Sequence, residues 1–464
     1  MDDHMEEALT DLIRIVNIKS VAELKQPEVK PFGKGCRDVL TEMLSMGKEA
    51  GFSVHDYDGY VGCISLNEKE EDIGIWAHLD VVEEGDGWQY DPYQACVKEG
   101  YVIGRGANDN KSSAVMGFYL LRFFRENGID LSRNLRLYLG TCEEQGMHDL
   151  DYFTSHYPCP SVSLVPDSGF PVCCGERGSW NGTIRSQEPL SEDVLEFYTS
   201  DRPYSIPELA VLRLRDSEER RMRCRKLPDG ICAEYEGESL CLTARGTACS
   251  AAQPQNGVSA LGILLQAVHA CGLLSSHDDA VFCLARELSN DSSGRALRVA
   301  CEDELSGPLV LSVTAAKLCG RKLEYSFVSK YPVTKNEVDF TKIAGEVCAE
   351  CGMELQITRY DKASYFNPED RLARVMTEAY NDYMGAAEQP FVMSGGTYAR
   401  KLPNAFACGT GMPEGPRPKT LFLPGHGDYH QPDEAISVER IRSALVIYIL
   451  GILKYCSQDP EHVF

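Results

Sequence analysis

GIWAHLDVV, residues 74–82, is the stretch on which the reading of this chain turns. Apolar Ile73, Ile75 and Trp76 run into His78, and strand side chains repeat every two residues. The segment therefore reads as a buried strand ending on polar groups. His78 and Asp80 share a face if the extended geometry continues past the tip. A histidine can ligate a divalent cation through one ring nitrogen while a carboxylate fixes its other N–H. Taken alone, His-x-Asp is more simply a polar strand end, so the rest of the chain has to decide.

Outward from this strand, apolar strands and helices alternate. Residues 5–17 and 37–50 have helical patterns, the second stopped by Gly51. Strands are expected at 63–66, 73–77, 101–104, 135–139 and 162–165, with a helix at about 113–127 between the third and fourth. This is an α/β pattern built on a largely parallel sheet flanked by helices. Such sheets place ligands at the carboxyl ends of their strands. The character changes near Trp180. LAVLRLRD and LCLTARG alternate as half-buried strands do, and a long apolar helix follows at 260–271. We expect a catalytic domain at 1–182 and 367–464, interrupted by an α+β domain at 183–366.

The bulk composition narrows the function. A chain of 464 residues with 43% hydrophobic content can fill two or three domains. It has 46 Lys and Arg against 70 Asp and Glu, for a formal charge of -24. Nucleic acid and anionic membranes, which need a basic patch, are poor partners for it. Nineteen scattered cysteines do not make a small disulfide framework. The start, MDDHMEEALTDLIRIV, has no basic segment leading into an apolar one, so no signal peptide is evident. The apolar run 444–453 is too short to cross a bilayer. Together these point to a reducing, cytoplasmic setting. Cys348 and Cys351 form one CxxC, but lie at helical spacing with Val347 and read as a packed helix face.

Acidic residues and histidines recur where strands end. Asp109 stands in GRGANDNK before a helix, Glu143 and Glu144 in GTCEE, Asp167 in PDSGFP, and His430 in HQPDE before the last helix. Each alone is an ordinary cap or loop residue. Gathered on one rim, these carboxylates would repel and raise one another's pKa unless cations neutralised them.

With these segments in view, the chain resembles the peptidase V-like dipeptidases of the di-zinc aminopeptidase and aminoacylase superfamily. GKG at 33–35, HLDVVEEGDGW at 78–88, GERG at 175–178 and SGGTYAR at 394–400 join the motifs above in carrying the resemblance. It covers nearly the whole chain and is loosest in the insert. It implies a zinc-dependent hydrolase of small peptides, with the insert as a lid and the chain as a monomer. His78 and Asp167 would hold one metal, Glu144 and His430 the other, and Asp109 would bridge them. Asp80 would orient the His78 ring. Glu143 would be the general base acting on a metal-bridging water. The Asp109–Asn110 peptide would be cis. Zinc accepts such donors, though manganese and cobalt take the same set.

The insert departs from the family. Where the family has Gly-x-x-Ala-His-Ala-Ser-x-Pro, residues 246–254 read GTACSAAQP, so Ser250 stands at the position of an oxyanion-stabilising histidine. Lys330, in SFVSKYP, stands where an arginine grips the substrate carboxylate, and Tyr204 falls near a usual asparagine. Glu83 and Ser112 are smaller changes. Lysine keeps the charge but loses the two-bond fork. Loss of one oxyanion donor costs on the order of 10² to 10³ in rate. Ser250 and Lys330 are therefore candidate substrate contacts. They leave open an N-acyl amino acid amidohydrolase, a carboxypeptidase, or a relative that binds metal and peptide without turnover. His269 and His277 also lie in the insert, and His269 reads as packing.

Overall fold

The computed structural model describes residues 2–25, 27–202 and 204–457. The chain divides into two compact units, residues 1–175 with 364–464 and residues 176–363.

The first unit is built on a sheet with nine strands among the described residues. Its centre is parallel: Asp72–His78 lies between Asn134–Gly140 and Val162–Val165, and Ala405–Ala407 pairs beyond the latter. The flank is antiparallel, through Val61–Ser65 and Ser53–Tyr57. The central strand is buried at every position. Ile73, Ile75 and Ala77 join Leu135, Leu137, Leu139 and Leu164 in one core. Trp76 faces a second core with Tyr138 and Phe153, and stacks on Tyr138 at 4.2 Å between ring centroids. Both faces being covered explains the near-continuous apolar run in this strand.

Helix Lys111–Glu126 packs into the first core through most of its length. The terminal helix Val438–Cys456 contributes Ile441, Ala444, Ile447, Tyr448 and Ile452 to it. No helix among the described residues is long and apolar enough to cross a membrane.

One expected strand lies elsewhere. Tyr101–Ile103 is not part of the large sheet. It forms a three-stranded antiparallel sheet with Cys96–Lys98 and Ala435–Ser437. The reason is local. Glu99 and Gly100 both have positive φ, 46° and 80°, which matches a two-residue hairpin turn and folds the strand back on its predecessor.

Among the described residues, the second unit is built on an eight-stranded antiparallel sheet and carries helices Ala260–Ala270, Ser276–Asn290 and Phe340–Glu350. The alternating segments are neighbouring strands, Leu209–Arg215 and Ser239–Arg245. The expected boundary at 183 falls inside strand Gly178–Ser186, which pairs with Lys322–Tyr331 and Met353–Asp361. That pairing is why the unit begins at 176. Cys348 is buried on its helix, Cys351 is exposed, and neither forms a disulfide.

Candidate metal centre

Strand register explains why residues far apart in sequence meet. His78 is paired with Gly140 across two parallel strands, so both chains leave the sheet at one level. Glu143 and Glu144 follow Gly140, Asp167 follows the strand ending at Val165, and Asp109 precedes helix Lys111–Glu126. His430 precedes strand Ala435–Ser437. All of these residues belong to the first unit.

Their donor atoms converge. His78 Nε2 is 3.0 Å from Asp109 Oδ1 and 3.8 Å from Asp167 Oδ2. His430 Nε2 is 3.1 Å from Glu144 Oε1 and 3.3 Å from Asp109 Oδ2. Asp109 thus turns one oxygen to each histidine. Ligand atoms of His78, Asp109 and Glu144 all lie within 4.8 Å of one another. The electrostatics match. Burial opposes charge on His78, yet bonds to Asp109 and Asp80 and the charge of Asp167 hold its pKa well above the usual imidazole value. Bonds to Asp109 and Glu144 push His430 up to about 10. Imidazole nitrogens and carboxylate oxygens gathered around a locus that favours positive charge fit divalent cations.

Glu143 differs from its neighbour. No protein group hydrogen-bonds its carboxylate among the described residues. Burial first, then the charges of Asp167, Glu144 and Asp80, push its pKa well above the carboxylate range, against the pull of His78. It is a carboxylate without a ligand's partners, held where a proton is favoured.

Asp80 is fully buried and does more than orient a ring. The nearest partner of His78 Nδ1 is the Asp80 backbone carbonyl, at 2.9 Å, with the Asp80 carboxylate farther away at 3.5 Å. That carboxylate instead accepts the N–H of Glu143 at 2.9 Å and of Glu144 at 3.0 Å. Residue 80 therefore fixes the histidine through its backbone and the glutamate pair through its side chain.

Three supports escaped the sequence reading. Asn110 donates to Asp167 Oδ1 and to the Pro166 carbonyl, both at 2.9 Å. Asp149 accepts the N–H groups of Thr141 and Cys142 at 2.7 and 2.9 Å, and the Tyr398 hydroxyl donates to it. Glu434 accepts the N–H groups of Asn108 and Asp109. Asn110 and Glu434 sit inside the quoted motifs, but as types that ordinarily cap helices. Their burial, invisible in one sequence, is what marks them. The Asp109–Asn110 peptide is cis.

The insert residues lie in the second unit. Ser250 is exposed and forms an isolated bridge with Ser205. Lys330 stands opposite Ser179, and its carbonyl accepts a bond from Arg177 at 2.8 Å. Tyr204 is exposed, and its hydroxyl accepts from Arg359 at 3.4 Å. His269 is not packed. It is half-exposed and paired with Asp279 at 2.9 Å, because it lies on the solvent side of its helix. His277 meets the Pro189 carbonyl at 2.9 Å.

Comparison with known proteins places the chain in a family. The model of peptidase family M20/M25/M40 matches residues 74–453. A Bacillus subtilis (strain 168) protein named "Putative dipeptidase YtjP" is 29% identical over 467 residues, covering 96% of this chain and 96% of that protein. A Staphylococcus epidermidis protein named "Putative dipeptidase" is 26% identical over 473 residues, covering 98% of each. Human carnosine dipeptidase 1 superposes with a TM-score of 0.55 at 15% identity, over 98% of this chain and 97% of that one. Aminoacylhistidine dipeptidase from Vibrio alginolyticus gives 0.56 at 12% identity, over 97% of each. At these identities the solved structures establish the fold alone.

Proposed function

The chain belongs to peptidase family M20/M25/M40, and from that premise we propose that it is a metal-dependent dipeptidase with Glu143 as general base. The observation that carries this reading is the convergence of two histidines on a shared Asp109, beside a glutamate whose carboxylate accepts no hydrogen bond from the described residues. His78 and Asp167 would hold one divalent cation, Glu144 and His430 a second, and Asp109 both. Zinc is the metal we propose, with manganese or cobalt accepted by the same donors. When bound, such ions polarise a carbonyl and lower the pKa of water.

The chain's own residues supply the remainder. Asp80 and Asn110 hold the donors in place before substrate arrives. Glu143 takes the proton of the attacking water as the C–O bond forms, then gives it to the leaving amine as the C–N bond breaks. Its raised pKa suits a group that must carry that proton. Ser250 and Lys330 are proposed substrate contacts with altered reach and geometry. Free cysteines throughout the chain support a reducing, cytoplasmic setting, and we take the acting form to be a monomer.

Ser250 also motivates a second reading, binding without turnover. Glu143→Ala separates the two. Under the dipeptidase reading this variant keeps its metals and loses hydrolysis. Equal rates in variant and parent would remove Glu143 as base, and no hydrolysis by the metal-loaded parent would favour the binding protein.

A further inference from the structure

Asp433 and Glu434 follow His430 closely, and both are fully buried. Each is saturated with bonds that cross the fold. Glu434 Oε1 accepts the N–H of Asn108 at 2.9 Å and of Asp109 at 2.9 Å. Its Oε2 accepts from Arg105 Nη1 at 2.6 Å. Its backbone carbonyl accepts the Gly104 N–H at 2.9 Å, and Ala435 then pairs with Ile103. Asp433 accepts from the backbone of Gln89 and Tyr90 and from the Gln89 and His426 side chains. A buried carboxylate is tolerated only when so compensated.

The backbone around His430 needs such an anchor. His430 has φ 60° and Asp433 φ 57°, both in the left-handed region that non-glycine residues seldom occupy. Two such residues within one short loop persist only where surrounding contacts over-determine them. Across the junction, the Asn108–Asp109 backbone leads directly into a carboxylate that meets both histidines.

We propose that Glu434 is a positioning residue for the metal centre, locking the Asp109 loop to the His430 loop so that Asp109 can serve both cations. The proposal rests on the metallohydrolase reading above. Its chemistry is mechanical. A rotation of the Asn108–Asp109 peptide would swing both Asp109 oxygens together and loosen both sides of the centre. The Glu434 carboxylate blocks that rotation, and Arg105 holds the carboxylate.

The test is zinc affinity, measured by competition with a chromogenic chelator, in the full chain. Glu434→Gln keeps the size but turns an NH₂ toward either Arg105 or the two backbone N–H groups, so one side of the junction opens. Weaker binding by about 10- to 100-fold is expected for at least one of two zinc ions, with the far-UV dichroism unchanged. Glu434→Asp, which keeps the charge and cannot span the junction, serves as the second variant and is also expected to bind more weakly. Asp278→Asn is the comparison. It alters a buried carboxylate of the second unit that accepts from Ser191 and Ser275, and it should lower the melting temperature without changing zinc affinity. Folded Glu434 variants that bind zinc as the parent does would overturn the positioning role alone. An equal loss in Asp278→Asn would assign the effect to general destabilisation and overturn it too. A parent chain that binds no zinc would overturn the metal reading and this role with it.

Discussion

At the scale of single residues, the centre is organised by groups that never need to touch substrate. Asp80 is the clearest case, because its carboxylate takes the N–H groups of both Glu143 and Glu144. Asp80→Ala removes both acceptors and leaves two half-buried donors without them, at about 1 kcal/mol each. We expect hydrolysis to fall by about 10- to 100-fold, with less stability toward urea; steady-state rates and a urea titration check the two. Asp149 yields a prediction in pH. Burial and the charge of Asp80 raise its pKa from 3.8 to about 6. The folded state then keeps a proton that the unfolded chain releases between these values. That stabilisation is full below about 4 and is lost as pH rises through 6. The stability of the parent relative to Asp149→Asn should therefore decline from pH 4 to 6, as paired denaturant titrations would reveal. Asp109, Glu144, Asp167 and His430 are each of an ordinary cap or loop type, and it is their recurrence at successive element ends together with His78, and the family resemblance those segments carry, that singles them out in the sequence. Asn110, Asp149 and Glu434 were not legible, since a buried carboxylate and a solvated helix cap are spelled alike.

Among the elements, pattern and outcome part company where pairing is decided by distant strands. The central strand and the helix after Asp109 follow from apolar periodicity, because burial on both faces and on one stripe leave different signatures. The 101–103 strand had the same apolar signature yet joined a separate sheet, since periodicity gives a strand but not its neighbour. The positive φ at Glu99 and Gly100 settles that pairing, and Gly100 was its sole sequence cue. The boundary at 176 was hidden for a related reason: strand Gly178–Ser186 gains its partners from residues more than a hundred positions later. One element-level prediction concerns helix Phe340–Glu350, whose N-cap Asp339 accepts the Lys342 N–H at 3.0 Å. Asp339→Ala should cost about 1 kcal/mol. The loss belongs to the second unit, so it should appear in that unit's unfolding transition while zinc affinity stays unchanged.

For the molecule as a whole, the proposed metal dependence leads us to expect that cations contribute to stability as well as to chemistry, at the locus where the His78, Asp109 and Glu144 donors converge. A ligand that binds only the folded state stabilises it by about 2.7 kcal/mol at a hundredfold excess over its Kd. Chelation should lower the melting temperature, and zinc should restore it to the parent but less completely to Glu434→Gln. The central claim, metal-dependent hydrolysis of dipeptides with Glu143 as base, has one most direct test. A dipeptide panel is incubated with the chain loaded with zinc, manganese or cobalt, beside equally loaded Glu143→Ala, and amino acid release is measured. The account predicts release by the parent and a loss of about 10² to 10⁴ in the variant. Release that persists undiminished in Glu143→Ala, or none from any dipeptide by the parent with two metals bound, would contradict it.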